Sequence, residues 1–110
     1  MKTSTEHLSP AEAISRLRAG NRRFASGSLT VTPPPVDAEQ AEPVTPLAVV
    51  LSCSDARVPT NLVFDCGIGE IFSVRVAGNV AAPTPIDSIE FAVNRLGANL
   101  VVVLGHSGCG

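Results

Sequence analysis

Residues 46–57 read PLAVVLSCSDAR. Leu47 to Leu51 form an apolar run of strand length with no polar alternation. That pattern suits a strand covered on both faces rather than one with a wet side. A thiol, a carboxylate and a guanidinium follow at once, in Cys53, Asp55 and Arg57. A second run, NLVVVLG at 99–105, ends in the same manner, in HSGCG at 106–110. Between the two, EIFSVRVAG (70–78) reads as another strand. PTNLVFD (59–65) reads as a short helix with Pro59 near its start. Ile86, Ile89, Val93 and Leu96 recur at helical spacing, with Thr84, Pro85 and Asp87 as capping residues and Gly97 as the stop. Strand, helix, strand, helix, strand predicts an α/β fold: a central parallel sheet with right-handed crossover helices. Placing the first strand in the middle, in the order 2-1-3, brings both reactive endings to the same edge of the sheet.

Upstream, SPAEAISRLRAG (9–20) predicts a helix. Ser9 is its N-cap, Pro10 takes its first turn, and Glu12 completes a capping box. Ile14 and Leu17 share a face, and Gly20 is the expected terminator. Residues 33–46, PPPVDAEQAEPVTP, hold five of the nine prolines, which predicts an extended arm. The chain therefore divides into an N-terminal helix with a proline-rich arm, 1–46, and an α/β part, 47–110. So long an arm lets the helix fold back on its own chain or lie on a partner subunit.

Bulk properties exclude several classes of function. A formal net charge of −2, with no Trp and no Tyr, gives no electrostatic or stacking case for nucleic acid, and no case for an anionic membrane. LVVVL (100–104) is far too short to span a bilayer. The opening MKTSTEHLSPAEA has no apolar signal region, so a cytoplasmic location is expected. Hydrophobic residues make up 45% and charged residues 16%, enough for a packed core. Three cysteines, an odd number, argue against a disulfide framework and for metal binding or chemistry.

Open parallel sheets bind ligands outside the carboxyl ends of their strands, where the strand order switches. Cys53 and Asp55 are expected just past the end of strand one, and His106 and Cys109 just past strand three. Two thiolates and an imidazole form a zinc-type set. Gly105, Gly108 and Gly110 would let the H-x-x-C loop turn tightly. Three protein ligands leave a fourth position for water or for Asp55. Two thiolates and an aspartate outweigh a dication by one charge, which Arg57 would cancel. Asp55 thus has two places to go, the metal or Arg57. Each residue also has a blander reading. A single H-x-x-C is weak, a capping histidine is common, and an exposed Asp–Arg pair is usually solvated. Cys66 reads as a small core hydrophobe and His7 as a solvated residue. Asp65, Glu70 and Glu90 read as caps or surface charges.

CSDAR followed by HSGCG resembles the β-class carbonic anhydrases. AISRLRAGNRRF (13–24) resembles that family's N-terminal helix and its G-N-x-R-F ending. GEIFSVRVAGN (69–79) resembles its second strand and the turn after it. SIEFAV (88–93) resembles a helix segment usually written with Tyr in place of Phe91. The resemblance implies Cys53, His106 and Cys109 as zinc ligands, and Asp55 and Arg57 as the catalytic dyad. It implies reversible hydration of carbon dioxide to bicarbonate and a proton, with zinc-bound hydroxide as nucleophile. It also implies a homodimer or higher homo-oligomer, with the N-terminal helix against a partner. Family members continue past the H-x-x-C motif, so the chain reads as truncated and 47–110 as the N-terminal part of a catalytic domain. Two alternatives therefore stand beside the first reading: a zinc-binding relative without turnover, and a hydrolase of a related small substrate such as carbon disulfide.

Overall fold

A computed structural model describes residues 8–32 and 45–110. The part of the expected arm at 33–44 lies outside the described residues. The elements in chain order are α1 (Pro10–Ala25), β1 (Ala48–Cys53), α2 (Thr60–Val63), β2 (Ile71–Val76), α3 (Pro83–Leu96) and β3 (Val101–Val103). The three strands form one parallel sheet in the order β2-β1-β3, as the apolar runs predict. Register pairs Ala48 with Ile71 through Cys53 with Val76 on one side of β1, and Val49 with Val101 through Leu51 with Val103 on the other.

The unbroken apolar character of β1 follows from this central place. Ala48 and Val50 face a cluster with Ala13, Leu17, Val63, Phe64 and Ile71. Val49 and Leu51 face the opposite cluster, with Val74, Ala92 and Ala98. Val49, Val50 and Leu51 are essentially inaccessible. Full burial of such side chains stabilises by about 1.5–3 kcal/mol each, so β1 is the anchor of the sheet. β3 has the apolar composition of a buried strand, but in the order 2-1-3 it lies at one edge of the sheet. Val101 is 44% and Val103 65% exposed, because α3 lies over β2 and β1.

At α1 the Ser9 capping box forms as read: the Ser9 hydroxyl accepts from the Glu12 amide at 3.1 Å, and the Ser9 amide donates to the Glu12 carboxylate at 2.8 Å. Gly20, however, does not end the helix, which continues to Ala25. The buried stripe is Ala13, Leu17 and Gly20, while Ile14 is left 37% exposed. Gly20 is there for closeness. A Cβ on it would fall 1.7 Å from the Phe64 carbonyl oxygen. α1 thus folds back on its own chain. In α3 the expected Thr84 and Asp87 caps are also displaced. The N-cap is Ala82, without a side-chain cap, and Pro83 begins the helix. Gly97 closes it in left-handed backbone at φ 80°. Among the described residues no helix is long and apolar enough to cross a membrane.

Asp65, expected as a cap or a surface charge, is buried and fastens the segment after α1 to the α2–β2 turn. Its carboxylate accepts from the Thr30 amide at 3.0 Å, the Thr30 hydroxyl at 2.8 Å and the Val31 amide at 2.9 Å, and it pairs with Arg23. The Arg23 contact first, then these donors, hold its pKa well below the usual carboxylate range. A depressed folded-state pKa contributes stability that is complete above the unfolded value of about 3.9 and lost as pH falls below it. Urea midpoints of the wild type should therefore drop between pH 5 and pH 3. Asp65→Asn should be less stable at pH 7 and should lose part of that drop. Equal slopes for the two proteins would refute the assignment.

Candidate metal centre

The two loops meet. β1 ends on Cys53, which is the strand's last residue rather than the first beyond it, and the thiol is buried. β3 hands the chain to Gly105 and His106 beside it. The sulfurs of Cys53 and Cys109 and a ring nitrogen of His106 all lie within 4.8 Å of one another. The His106 Nδ1 lies 3.0 Å from the Ser107 carbonyl, which can only accept, so Nδ1 carries the proton. Nε2 is then the nitrogen that can offer a lone pair when the ring is neutral, and it is buried without a hydrogen-bond partner among the described residues. An orphaned nitrogen next to two thiols is what a tetrahedral zinc with bonds of about 2.0–2.3 Å needs. The residues present therefore fit zinc.

Charge at the site points the same way. The Gly78 amide donates to the Cys53 sulfur at 3.3 Å. With His106 and the Asp55 amide also beside it, this donor brings the thiol down to about 6, so it is largely thiolate at pH 7. That thiolate in turn raises the pKa of His106 and of Cys109. Two thiols so close ionise together only with positive charge between them, and a dication supplies it.

Asp55 sits on Arg57, one of the two places expected for it. The Arg57 Nε and Nη2 donate to its two carboxylate oxygens at 2.9 and 2.8 Å, and the Arg57 amide adds a third contact at 2.8 Å. The guanidinium first, then that amide, hold Asp55 well below the usual carboxylate range. The same Arg57 Nη2 donates to the Gly108 carbonyl at 3.2 Å, joining the CSDAR loop to the HSGCG loop. Of the three glycines expected to bend that second loop, Gly108 is in left-handed backbone, at φ 68°. A side chain there would also crowd the Arg57 guanidinium, 3.3 Å from a built Cβ.

Three residues not singled out from the sequence brace the site from β2. The Arg75 guanidinium donates to the Cys53 carbonyl at 3.0 Å and the Asp55 carbonyl at 2.7 Å. Gly78 and Asn79 follow in the turn after the strand. Their signal was present, since GEIFSVRVAGN carried the family resemblance, but it read as strand and turn rather than as support for ligands. Cys66 lies apart in the core. Burial first, then Glu70, pushes its thiol up to about 12, leaving it an unreactive apolar group. Among the described residues, Cys53, His106 and Cys109 are the group able to hold a metal ion.

Comparison with known proteins agrees with this geometry. A family model described as carbonic anhydrase matches residues 48–110. Carbonic anhydrase 2 of Mycobacterium tuberculosis is 41% identical over 106 residues, covering 94% of this chain and 51% of the relative. The chain thus spans about half the length of the curated relatives it matches. Among solved structures, the β-carbonic anhydrase CafA of Aspergillus fumigatus is 34% identical with a TM-score of 0.58, over 61% of this chain and 34% of that one. A tetrameric β-carbonic anhydrase of Sordaria macrospora is 27% identical with a TM-score of 0.61, over 91% and 49%. With a parallel β2-β1-β3 sheet, a Cys-His-Cys cluster at its carboxyl edge and these likenesses together, the chain belongs to the β class of the carbonic anhydrase family.

Proposed function

We propose that this protein catalyses the zinc-dependent, reversible hydration of carbon dioxide to bicarbonate and a proton. The observation that carries the reading is the convergence of Cys53, His106 and Cys109 within a segment matched by the carbonic anhydrase family. Zinc held by these residues would supply a Lewis acid that lowers the pKa of bound water from about 15.7 toward neutrality; the value of about 7 is that of a three-histidine carbonic anhydrase site, and two thiolates would lower it somewhat less. The chain's own groups do the rest. Cys53 and Cys109 provide anionic sulfur. The Nδ1–H of His106, turned to the Ser107 carbonyl, fixes the tautomer that offers Nε2. Asp55, kept ionised by Arg57, accepts a hydrogen bond from the attacking water and orients it. It is too acidic to act as the general base at neutral pH. Arg57 keeps Asp55 off the metal side and holds the two loops together through Gly108.

On this reading residues 47–110 carry the catalytic part of the chain. The part before it contains the helix α1. Homo-oligomerisation is part of the proposal as well. It is supported by the tetrameric relatives and by Ile14 and Phe24, which α1 leaves over a third exposed. Three unpaired cysteines suit a reducing, cytoplasmic compartment.

The deciding experiment combines metal analysis of the purified protein with stopped-flow carbon dioxide hydration. One zinc per chain, with hydration abolished by a chelator and restored by zinc, is the expected result. Stoichiometric zinc with hydration at background would replace the enzyme with a binding protein. A chain without zinc would remove the reading altogether.

A further inference from the structure

The turn after β2 supplies no ligand, yet it touches both halves of the site. Ala77–Asn79 is one 3-10 turn, and two of its residues lie in left-handed backbone, Gly78 at φ 75° and Asn79 at φ 45°. Asparagine is one of the few residues with a side chain that tolerate this region. The conformation sends two donors in different directions. The Gly78 amide reaches the Cys53 sulfur at 3.3 Å. The Asn79 side-chain amide, through Nδ2, reaches the Leu104 carbonyl at 2.9 Å. Leu104 stands two residues before His106, and its own amide closes the β1–β3 ladder on the Leu51 carbonyl at 2.9 Å. Just before the turn, the Val76 carbonyl accepts from the Ser54 amide at 3.2 Å. One turn therefore grips the chain at the last residues of β1 and at the last residue before the H-x-x-C loop.

We propose that Asn79 is a positioning residue of the metal centre: its side-chain amide sets the His106 loop at the separation from Cys53 that one bound ion requires, while Gly78 in the same turn holds the Cys53 sulfur. The inference rests on the zinc reading above. Without the Nδ2 donor, the Leu104 carbonyl loses its side-chain partner. The Leu104 amide on the Leu51 carbonyl and the contact between Arg57 and Gly108 then remain to tie the H-x-x-C segment to the CSDAR side. Removing an outer partner of a metal ligand typically costs about 10–100-fold in metal affinity. Asn79 acts one step further out, on the carbonyl two residues before the imidazole, so the effect here should reach the lower end of that range, about 10-fold.

Two variants separate the side chain from the backbone. Asn79→Gly keeps the left-handed turn and removes the donor. Asn79→Asp keeps shape and turn but sets a carboxylate oxygen against the Leu104 carbonyl. Zinc affinity is read by competition with a chromophoric chelator, and the metal environment by the thiolate-to-cobalt absorption of the cobalt-substituted protein. Both variants are expected to bind zinc about 10-fold more weakly than wild type and to show a shifted cobalt spectrum. A merely structural role would lower the melting temperature of the zinc-free protein and leave the affinity and spectrum of the folded molecules unchanged. Wild-type affinity with an unchanged spectrum in a folded variant overturns the proposal, and the aspartate variant decides should the glycine variant not fold. A wild type that holds no zinc overturns the proposed function instead, and this inference with it.

Discussion

Cys53→Ser is expected to yield a folded protein that has lost its zinc and whose carbon dioxide hydration has fallen to the uncatalysed background. The exchange is small in volume, at the end of a strand whose other residues are anchored by the core, so the sheet should survive. The chemistry does not. Cys53 is brought down to about 6 by the Gly78 amide and its other neighbours, and presents an anion at pH 7. A serine hydroxyl in the same place stays neutral. Losing the metal would remove a shift in water acidity that reaches roughly eight to nine units in a three-histidine carbonic anhydrase site and is somewhat smaller with two thiolates, and with it most of the hydroxide available at neutral pH. Elemental analysis, circular dichroism and stopped-flow hydration on one preparation check the three parts of the claim. A serine variant with full zinc and full turnover would remove Cys53 from the centre.

Gly20→Ala should destabilise the protein by about 3 kcal/mol or more, although helix propensity alone argues for the opposite sign. In a free helix the exchange gains about 1 kcal/mol. Here the new methyl would lie 1.7 Å from the Phe64 carbonyl oxygen and 2.6 Å from its carbon. Both are backbone atoms, so no rotamer relieves the overlap. α1 must move off α2, and with it Leu17 and Ala13 leave their cluster. Overpacking of this kind typically costs 1–3 kcal/mol and at times more. At about 4–8 °C per kcal/mol for a domain of this size, the melting temperature should fall by well over 10 °C. A variant that melts at or above the wild-type temperature would show that the two helices do not meet at this glycine.

The comparison of these two positions shows what could be read in advance. Cys53 was legible because its meaning lies in pattern: an apolar run sets the strand, and the residues at its end share an edge with another such end. Gly20 was misread as a helix stop because a glycine inside a helical stretch looks the same whether it ends the helix or lets a neighbour approach. Only the position of Phe64, on another element, tells them apart. How far β3 is exposed could not be read from its composition, for a related reason. VVV has the composition of a buried strand, but whether an edge is covered depends on where α3 lies. Asp65 reads as a cap or a surface charge, and its burial is not legible, because its partners, Thr30, Val31 and Arg23, are distant in the chain. Arg75, Gly78 and Asn79 went unassigned because their work is done through backbone carbonyls, an amide and a sulfur on other segments. Ligand chemistry is written in residue types; the bracing of ligands is written in tertiary geometry.

The separation of Cys53 from Cys109 along the chain has a mechanical consequence. An ion bonded to both would staple a loop of roughly 55 residues containing every crossover of the sheet. By the chain-entropy relation used for disulfides, such a link removes about 4 kcal/mol of freedom from the unfolded chain. The edge strand β3, the least covered of the three, is the one that the staple clasps. Metal loading should therefore oppose the peeling of that strand from β1, since leaving the sheet would carry Cys109 away from Cys53 and break a bond to the ion.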